Sequence, residues 1–470
     1  MKFVYLLPPL LLSAFSCTTK STPENEKPNI LVIVADDAGY GDFGFMGSAD
    51  MQTPVLDKLA AQGTIFTDAH VAASVSSPSR AMMISGRYGQ RFGYECNINA
   101  NPDGLPKDLD ILPMTLKRAG YATACIGKWH LGEAPYQHPN RKGYDEFYGM
   151  IAGARNYFYD EQKSDRKGSR KNYQHNGEVL KFDGYFTDEL AHRAADYIKN
   201  VGNNPFFMDL CFNAPHSPNE AREDDLERFE GQPRQVLAAM MYGLDRGVGT
   251  VIEALRKTGK LENTLIFFLS DNGGSTTNNS CNFPLKGFKG NKFEGGHRVP
   301  FFVVWGDKFK QEERFKGLTS SLDIFPTVIA AAGICPNQIN HVLDGVSLLP
   351  YLTGEKRGNP HHQLFWRKMN SRAMRQDKYK LIMTEGVDTV LYDLEKEIDE
   401  LTDLYEQNPT KSQEMISAYQ QFEKANFIAP TWIEIGWARK TDSIHKGLMH
   451  NRIKTAHDFN RWKRIHKRNH

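Results

Sequence analysis

Apolar residues recur along the chain as short unbroken runs separated by helical stretches. Asn29–Ala35 (NILVIVA) is apolar and β-branched from end to end, the pattern of a strand buried on both faces of a parallel sheet. Thr53-Pro54 then opens VLDKLAAQ as a helix, with Thr as N-cap, Pro at the first position and Gly63 as its stop. Tyr121–Ile126, Pro205–Phe212, Thr264–Leu269 and Pro300–Trp305 are further strands, and Asp188–Lys199 and Gln235–Arg256 are long helices between them. Strands alternating with helices predict an α/β fold, a large mixed but mostly parallel sheet sandwiched by helices, over residues 28–355. Beyond it, QLFWR, RAMRQDKYKLIM and TVLYDL followed by a helix near Gln413–Ala425 predict a small α+β subdomain with an antiparallel sheet over 356–428. The segment 429–470 is an aromatic and basic tail, in which Lys and Arg outnumber Asp by eight from Arg439 onward. That tail either attracts a polyanion, lies against the core or is solvated.

The first 27 residues read differently. Met1-Lys2, the apolar Phe3–Leu12 and the small residues before Cys17 form an export signal too short to span a bilayer. A Cys in that place resembles the bacterial lipoprotein signal, which implies lipidation of Cys17, membrane attachment through it and a periplasmic or cell-surface location. A plain secretory signal with an incidental Cys is the alternative. The polar stretch that follows, Thr18–Pro28, reads as a tether.

Composition narrows the function classes. The chain has 470 residues, 58 Lys+Arg against 56 Asp+Glu, and 24% charged residues. A net charge of +2 gives no global attraction for nucleic acid. Six cysteines are too few for a disulfide-built scaffold; apart from Cys17 they read as core residues, with room for one disulfide.

Four of the strands end in polar chemistry. NILVIVA runs into Asp36-Asp37, ATACIG into Lys128-Trp129-His130, FFMDLCFN into Ala214-Pro215-His216, and LIFFLS into Asp271-Asn272-Gly273-Gly274. Ligands of open α/β sheets bind beyond the carboxyl ends of the strands, so convergence of the four would build a concave site. The two pairs Asp36-Asp37 and Asp271-Asn272 supply hard oxygen donors and no sulfur, which suits Ca²⁺ or Mg²⁺.

Ser76-Ser77-Pro78-Ser79-Arg80, with Gly86 further on, resembles the signature of the type I sulfatases in its Ser variant. The other blocks of that family follow in order: NILVIVADDAGYGD, GKWHLG, GYDEFYG, APHSP, SDNGG and Lys289-Gly290…Glu294-Gly295-Gly296. LYDLEKEIDELTDL is similar to the family's C-terminal segment, with Glu397-Ile398 where Asp-Pro is usual. The resemblance implies an alkaline-phosphatase-like fold and hydrolysis of sulfate monoesters, with residue 76 oxidised to formylglycine by a radical-SAM maturase. It places one Ca²⁺ between Asp36, Asp37, Asp271 and Asn272, with residue 76 as a further contact. Arg80 matches the arginine that orients the formylglycine hydrate, Lys128 and Lys289 the sulfate-binding lysines, His130 the base that breaks down the sulfated intermediate, and His216 the acid on the leaving oxygen. Lys289 is chosen over its neighbours Lys286 and Lys292 by the spacing Lys-Gly-x-x-x-Glu-Gly-Gly, and Arg298 and Asp323 read as structural ion-pair residues. The expected substrate is a sulfated saccharide from a glycosaminoglycan, mucin or algal polymer. Arg155, Asn156 and Tyr157 are its candidate sugar contacts. A phosphomonoesterase or phosphodiesterase of the same superfamily using unmodified Ser76 is one alternative, and a non-catalytic sulfated-glycan-binding lipoprotein is another. The phosphatase reading needs a second metal site, and Asn272 argues against one.

Overall fold

A computed structural model of the chain describes residues 27–99, 102–159, 173–434, 443–455 and 457–458. The segment read above as an export signal, with Cys17, and parts of the basic tail lie outside these residues. The strands are β1 Asn29–Ala35, β2 Thr64–Phe66, β3 Ala69–His70, β4 Ala122–Lys128, β5 Glu146–Met150, β6 Tyr173–His175, β7 Glu178–Val179 and β8 Phe206–Cys211. They continue as β9 Thr264–Ser270, β10 Phe301–Val304, β11 Glu313–Phe315, β12 Thr319–Ser320, β13 Gln363–Lys368, β14 Ser371–Gln376, β15 Tyr379–Thr384 and β16 Asp388–Asp393. Ten of them form one sheet in the order β11-β2-β10-β9-β1-β8-β4-β5-β6-β7. Its centre, β9-β1-β8-β4-β5, is parallel, while β10 joins β9 antiparallel and β6 and β7 close the other edge antiparallel.

The apolar run of β1 is explained by two buried faces. Leu31, Ile33 and Ala35 enter one hydrophobic cluster with helices α1 (Pro54–Ala60), α3 (Phe186–Asn200) and α4 (Gln235–Lys257). Ile30, Val32 and Val34 enter a second with α2 (Ser76–Ser85) and α5 (Ile324–Ala331). A strand alternates its side chains between faces, so both sets must be apolar here. The helix after Thr53 forms, but Thr53 does not cap it: its hydroxyl accepts from Gly44 N (2.9 Å) and donates to Asp57 (3.0 Å). The first amides of α1 are taken instead by the Asp245 carboxylate, at 3.1 Å from Val55 N and 2.8 Å from Leu56 N. Helix α2 begins at Ser76 and ends before Gly86, which is left-handed at φ 64°.

Strands β13–β16 form an antiparallel meander, as the C-terminal pattern predicts. One face carries helix α6 (Pro409–Asn426) through Met415 and Tyr419. The other face, with Trp366, Ile382 and Tyr392, packs on Phe288 and Phe293 of the main domain and on Ile444, Leu448 and Ile453. That part of the tail is therefore packed against the protein. No helix among the described residues is long and apolar enough to cross a membrane, and the five described cysteines are unpaired.

Candidate active site

The order β9-β1-β8-β4 sets the four polar strand endings side by side at one edge of the sheet. Asp36 and Asp37 follow β1, His216 lies beyond β8, Lys128 closes β4 with His130 just after it, and Asp271 and Asn272 follow β9. Asp37 and His130 both adopt left-handed backbone conformations, φ 66° and 57°, which non-glycine residues seldom take. The Asp37 turn is held by its N–H donating to Asp271 Oδ1 (3.2 Å) and by its carbonyl accepting from Asn278 Nδ2 (3.2 Å) and Ser280 Oγ (2.9 Å).

Helix α2 brings Ser76 to this edge at its first residue. Ser76 Oγ lies 3.1 Å from Asn272 Oδ1 and 3.4 Å from Asp36 Oδ1. The same side of α2 carries Arg80, whose Nε donates to Asp271 Oδ2 (2.9 Å) and Nη1 to the Lys128 carbonyl (3.3 Å). Lys128 Nζ sits 2.7 Å from both oxygens of Asp36. Lys289 Nζ sits 2.6 and 2.8 Å from those of Asp37, with His216 Nε2 at 3.5 Å. Asn272 donates through Nδ2 to Asp37 Oδ1 (2.8 Å), which turns its oxygen toward Ser76. Residues Ser76, Asp36, Asp37, Asp271, Asn272, Arg80 and Lys128 form a buried floor, and Lys289, His216 and His130 form a partly accessible rim.

Three carboxylates buried among Arg80, Lys128 and Lys289 make a cluster whose charges balance. Burial raises the Asp271 carboxyl, but Arg80, Lys128 and Lys289 outweigh it and hold the group well below the usual carboxylate range. Asp37 is also held low, because Lys289 and His216 overcome the cost of burial. At Asp36 burial wins over Lys128 and raises the carboxyl. Burial beside Lys128 and Arg80 pushes His130 well below the ordinary histidine value, so it is neutral near pH 7. Its Nδ1 is sealed from solvent and finds no hydrogen-bond partner among the described residues. The His216 ring places Nδ1 2.5 Å from the Ser217 carbonyl, which fixes that nitrogen as a donor and turns Nε2 to the cluster.

The donor set fits a single hard cation: Asp36, Asp37, Asp271 and the Asn272 amide oxygen offer oxygen only. His70, Glu294 and His297 also bring metal-type ligand atoms together. There the Lys380 ammonium lies 2.7 Å from Glu294 and 3.1 Å from His297 Nε2. At the strand edge itself, Asp36, Asp37 and His216 bring metal-type ligand atoms together in the same way.

The suggested sugar contacts separate. Tyr157 is corrected: it is 1% exposed, and its hydroxyl donates to the carbonyls of Asn213 (2.7 Å) and His216 (2.8 Å). The buried ring thereby ties the Asn213 and His216 carbonyls of that turn together. Asn156 is half-buried with its amide on Glu220 Oε1 (3.0 Å), and Arg155 is half-buried near Tyr173 and Glu133. Lys286 and Lys292 point away from the cluster, Lys286 to Glu400 and Asn451, Lys292 to Ser74 Oγ (3.3 Å). Arg298 pairs with Asp68 and Glu294, both at 3.2 Å, and Asp323 with His361 at 2.7 Å. Asn278 and Glu220 were not foreseen: one ties the Asp37 turn to Pro215, the other accepts from Tyr157 N at 2.7 Å. Nothing in their polar surroundings marks them in the sequence.

Comparison with known proteins agrees with this geometry. Residues 28–334 match the family model "Sulfatase", and residues 289–425 match "N-sulphoglucosamine sulphohydrolase, C-terminal". The uncharacterized sulfatase YdeN of Escherichia coli (strain K12) is 32% identical over 411 residues, 75% of this chain and 70% of that protein. The N-acetylgalactosamine-6-sulfatase of Mus musculus is 31% identical over 395 residues, 75% of this chain and 71% of that protein. The crystal structure of Ps i-CgsB in complex with k-i-k-neocarrahexaose superposes with a TM-score of 0.82 at 35% identity, covering 89% of this chain and 98% of that one. The chain thus belongs to the sulfatase family and is a sulfuric ester hydrolase.

Proposed function

We propose that the protein removes sulfate from a sulfated carbohydrate, using a formylglycine made from Ser76 and one Ca²⁺ held by Asp36, Asp37, Asp271 and Asn272. The observation that carries this reading is the placement of Ser76 Oγ between Asn272 Oδ1 and Asp36 Oδ1, at 3.1 and 3.4 Å, over three buried carboxylates. A bound cation at those oxygens supplies Lewis-acid polarisation of the sulfate and neutralises developing charge. Added to a balanced cluster, it leaves the net positive charge that an anionic ester requires.

The chain's own groups do the rest. Lys128 and Lys289 provide fixed positive charge for the sulfate oxygens, and their hold on Asp36 and Asp37 spares reorganisation at the moment of reaction. Arg80, pinned by Asp271 and the Lys128 carbonyl, orients residue 76. His216 faces the leaving oxygen through Nε2, 3.5 Å from Asp37 Oδ2, as the proton donor to the leaving alkoxide. His130, kept neutral, takes the proton of the second hydroxyl of the hydrated residue 76 as sulfate departs.

The carbohydrate assignment is supported by the relatives, one an N-acetylgalactosamine-6-sulfatase and one solved with a neocarrahexaose. Arg155 is the sugar contact this reading retains, since the segment that holds it passes His130 at Gly153. A radical-SAM maturase would oxidise Ser76, and export with lipidation of Cys17 rests on the signal-like first residues. Mass spectrometry of the peptide containing residue 76, from the native host, is the deciding experiment. The expected mass is about 2 Da below the serine form; full activity with intact serine overturns the formylglycine step. Metal analysis should give one calcium per chain, and two zinc ions would overturn the site. Sulfate release from a glycan panel identifies the sugar.

A further inference from the structure

Lys289 stands on a loop whose two ends meet. Gly295 N donates to the Lys286 carbonyl (2.8 Å), closing the segment into a ring. Its middle is tied to the active site by backbone bonds, Lys289 N to Gly274 O (3.1 Å) and Gly290 N to Ser74 O (2.8 Å). The ends are gripped from outside the main domain, and one residue reaches both. The Glu400 carbonyl accepts from Lys286 Nζ (2.8 Å), and its Oε2 accepts from Glu294 N (2.8 Å). Its Oε1 lies 3.3 Å from Lys380 Nζ, which also pairs with Glu294 Oε1 at 2.7 Å. Glu400 is fully buried and holds φ 52°, a backbone conformation that L side chains rarely adopt. Lys286 adds a bond to Asn451 Oδ1 (2.7 Å) and lies over the rings of Phe293 and Tyr392, at 4.6 and 5.5 Å.

We propose that Glu400, in the C-terminal subdomain, is a positioning residue for the sulfate site, holding both ends of the Lys286–Glu294 loop so that Lys289 reaches Asp37 and the sulfate group. The inference rests on the proposed role of Lys289 in sulfate binding and adds a residue that touches neither substrate nor metal. A group that only stabilised the fold would lower the unfolding temperature without changing how Lys289 meets an anion. Residues in one network couple non-additively, and that coupling is measurable.

The test is binding of inorganic sulfate to the full-length, calcium-loaded protein by titration calorimetry, which needs no turnover. Glu400→Ala and Lys289→Ala should each weaken binding about tenfold, and the double variant no more than Lys289→Ala alone. Glu400→Gln should stay within about threefold of wild type, because its amide oxygen still accepts from Glu294 N and its carbonyl still receives Lys286. Lys286→Met covers the case in which Glu400→Ala fails to fold. It should weaken sulfate binding severalfold, again without adding to Lys289→Ala. Unchanged sulfate binding in these variants, or effects that multiply in the doubles, overturns the inference. Failure of the wild-type protein to bind sulfate would instead remove the reading of Lys289 on which it stands.

Discussion

The Tyr157 hydroxyl donates to the main-chain carbonyl of His216 at 2.8 Å, from a ring that is 1% exposed beneath the turn. With the Asn213 carbonyl at 2.7 Å, it sets where the His216 imidazole stands without meeting substrate. Tyr157→Phe should therefore lower kcat about five- to twentyfold, equivalent to ~1–2 kcal/mol, and leave KM within about twofold. Steady-state kinetics check it; a rise in KM alone would point to a sugar contact after all.

Gly153 faces the other histidine. A Cβ placed on it would stand 2.5 Å from Nε2 and 2.6 Å from Cε1 of His130, so an added methyl must displace the ring. Gly153→Ala should cut kcat/KM at least about tenfold while the protein remains folded, since general acid–base groups contribute about 10²–10⁴-fold when in place. Thermal unfolding measured beside the kinetics separates ring displacement from collapse of the segment.

Lys289 and Asp37 form the accessible ion pair of the cluster, at 2.6 Å. Lys289→Ala removes a preorganised cation from the place where sulfate charge is held and should cost about 10²–10³-fold in kcat/KM, or ~3–4 kcal/mol. Wild-type rates in that variant would refute its role.

Asp209, on β8, is 2% exposed; the Tyr144 hydroxyl donates to its Oδ2, while Oδ1 has no partner among the described residues. Burial pushes its carboxyl up to about 7, against the smaller opposing effects of Tyr144 and Arg80. The folded state thus binds this proton more tightly than the unfolded chain does. The resulting stability is full below about pH 4 and is lost as pH rises through 7. Asp209→Asn keeps an acceptor for Tyr144 but carries no charge. Its denaturant stability should fall less than that of wild type between pH 5 and pH 8, by on the order of 3 kcal/mol. Equal slopes in the two proteins would exclude the effect.

Much of the architecture was legible locally. The unbroken NILVIVA run requires two apolar faces, which the two clusters on either side of β1 supply. The polar-aromatic segments after residue 360 pair as the antiparallel meander they predict. Thr53 failed as a cap because Asp245, distant in sequence, takes the first amides of its helix. Tyr157 looked like a sugar platform because an aromatic residue in a polar loop has the same local signature whether it faces solvent or lies under a turn.

By itself, then, the chain of residues determined which strands end in acids, amides and basic groups, since those are neighbours in sequence and obey local rules of burial and periodicity. Only the tertiary structure decided that Asp36, Lys128, His216 and Asp271 share one edge, because the strand order β9-β1-β8-β4 depends on how the crossovers pack. The pairing of Arg80 with Asp271 and of Glu400 with both ends of the Lys289 loop was likewise decided there. Charges buried in a low-dielectric interior must find opposite charges wherever the fold brings them, and no local pattern encodes partners a hundred or more residues apart.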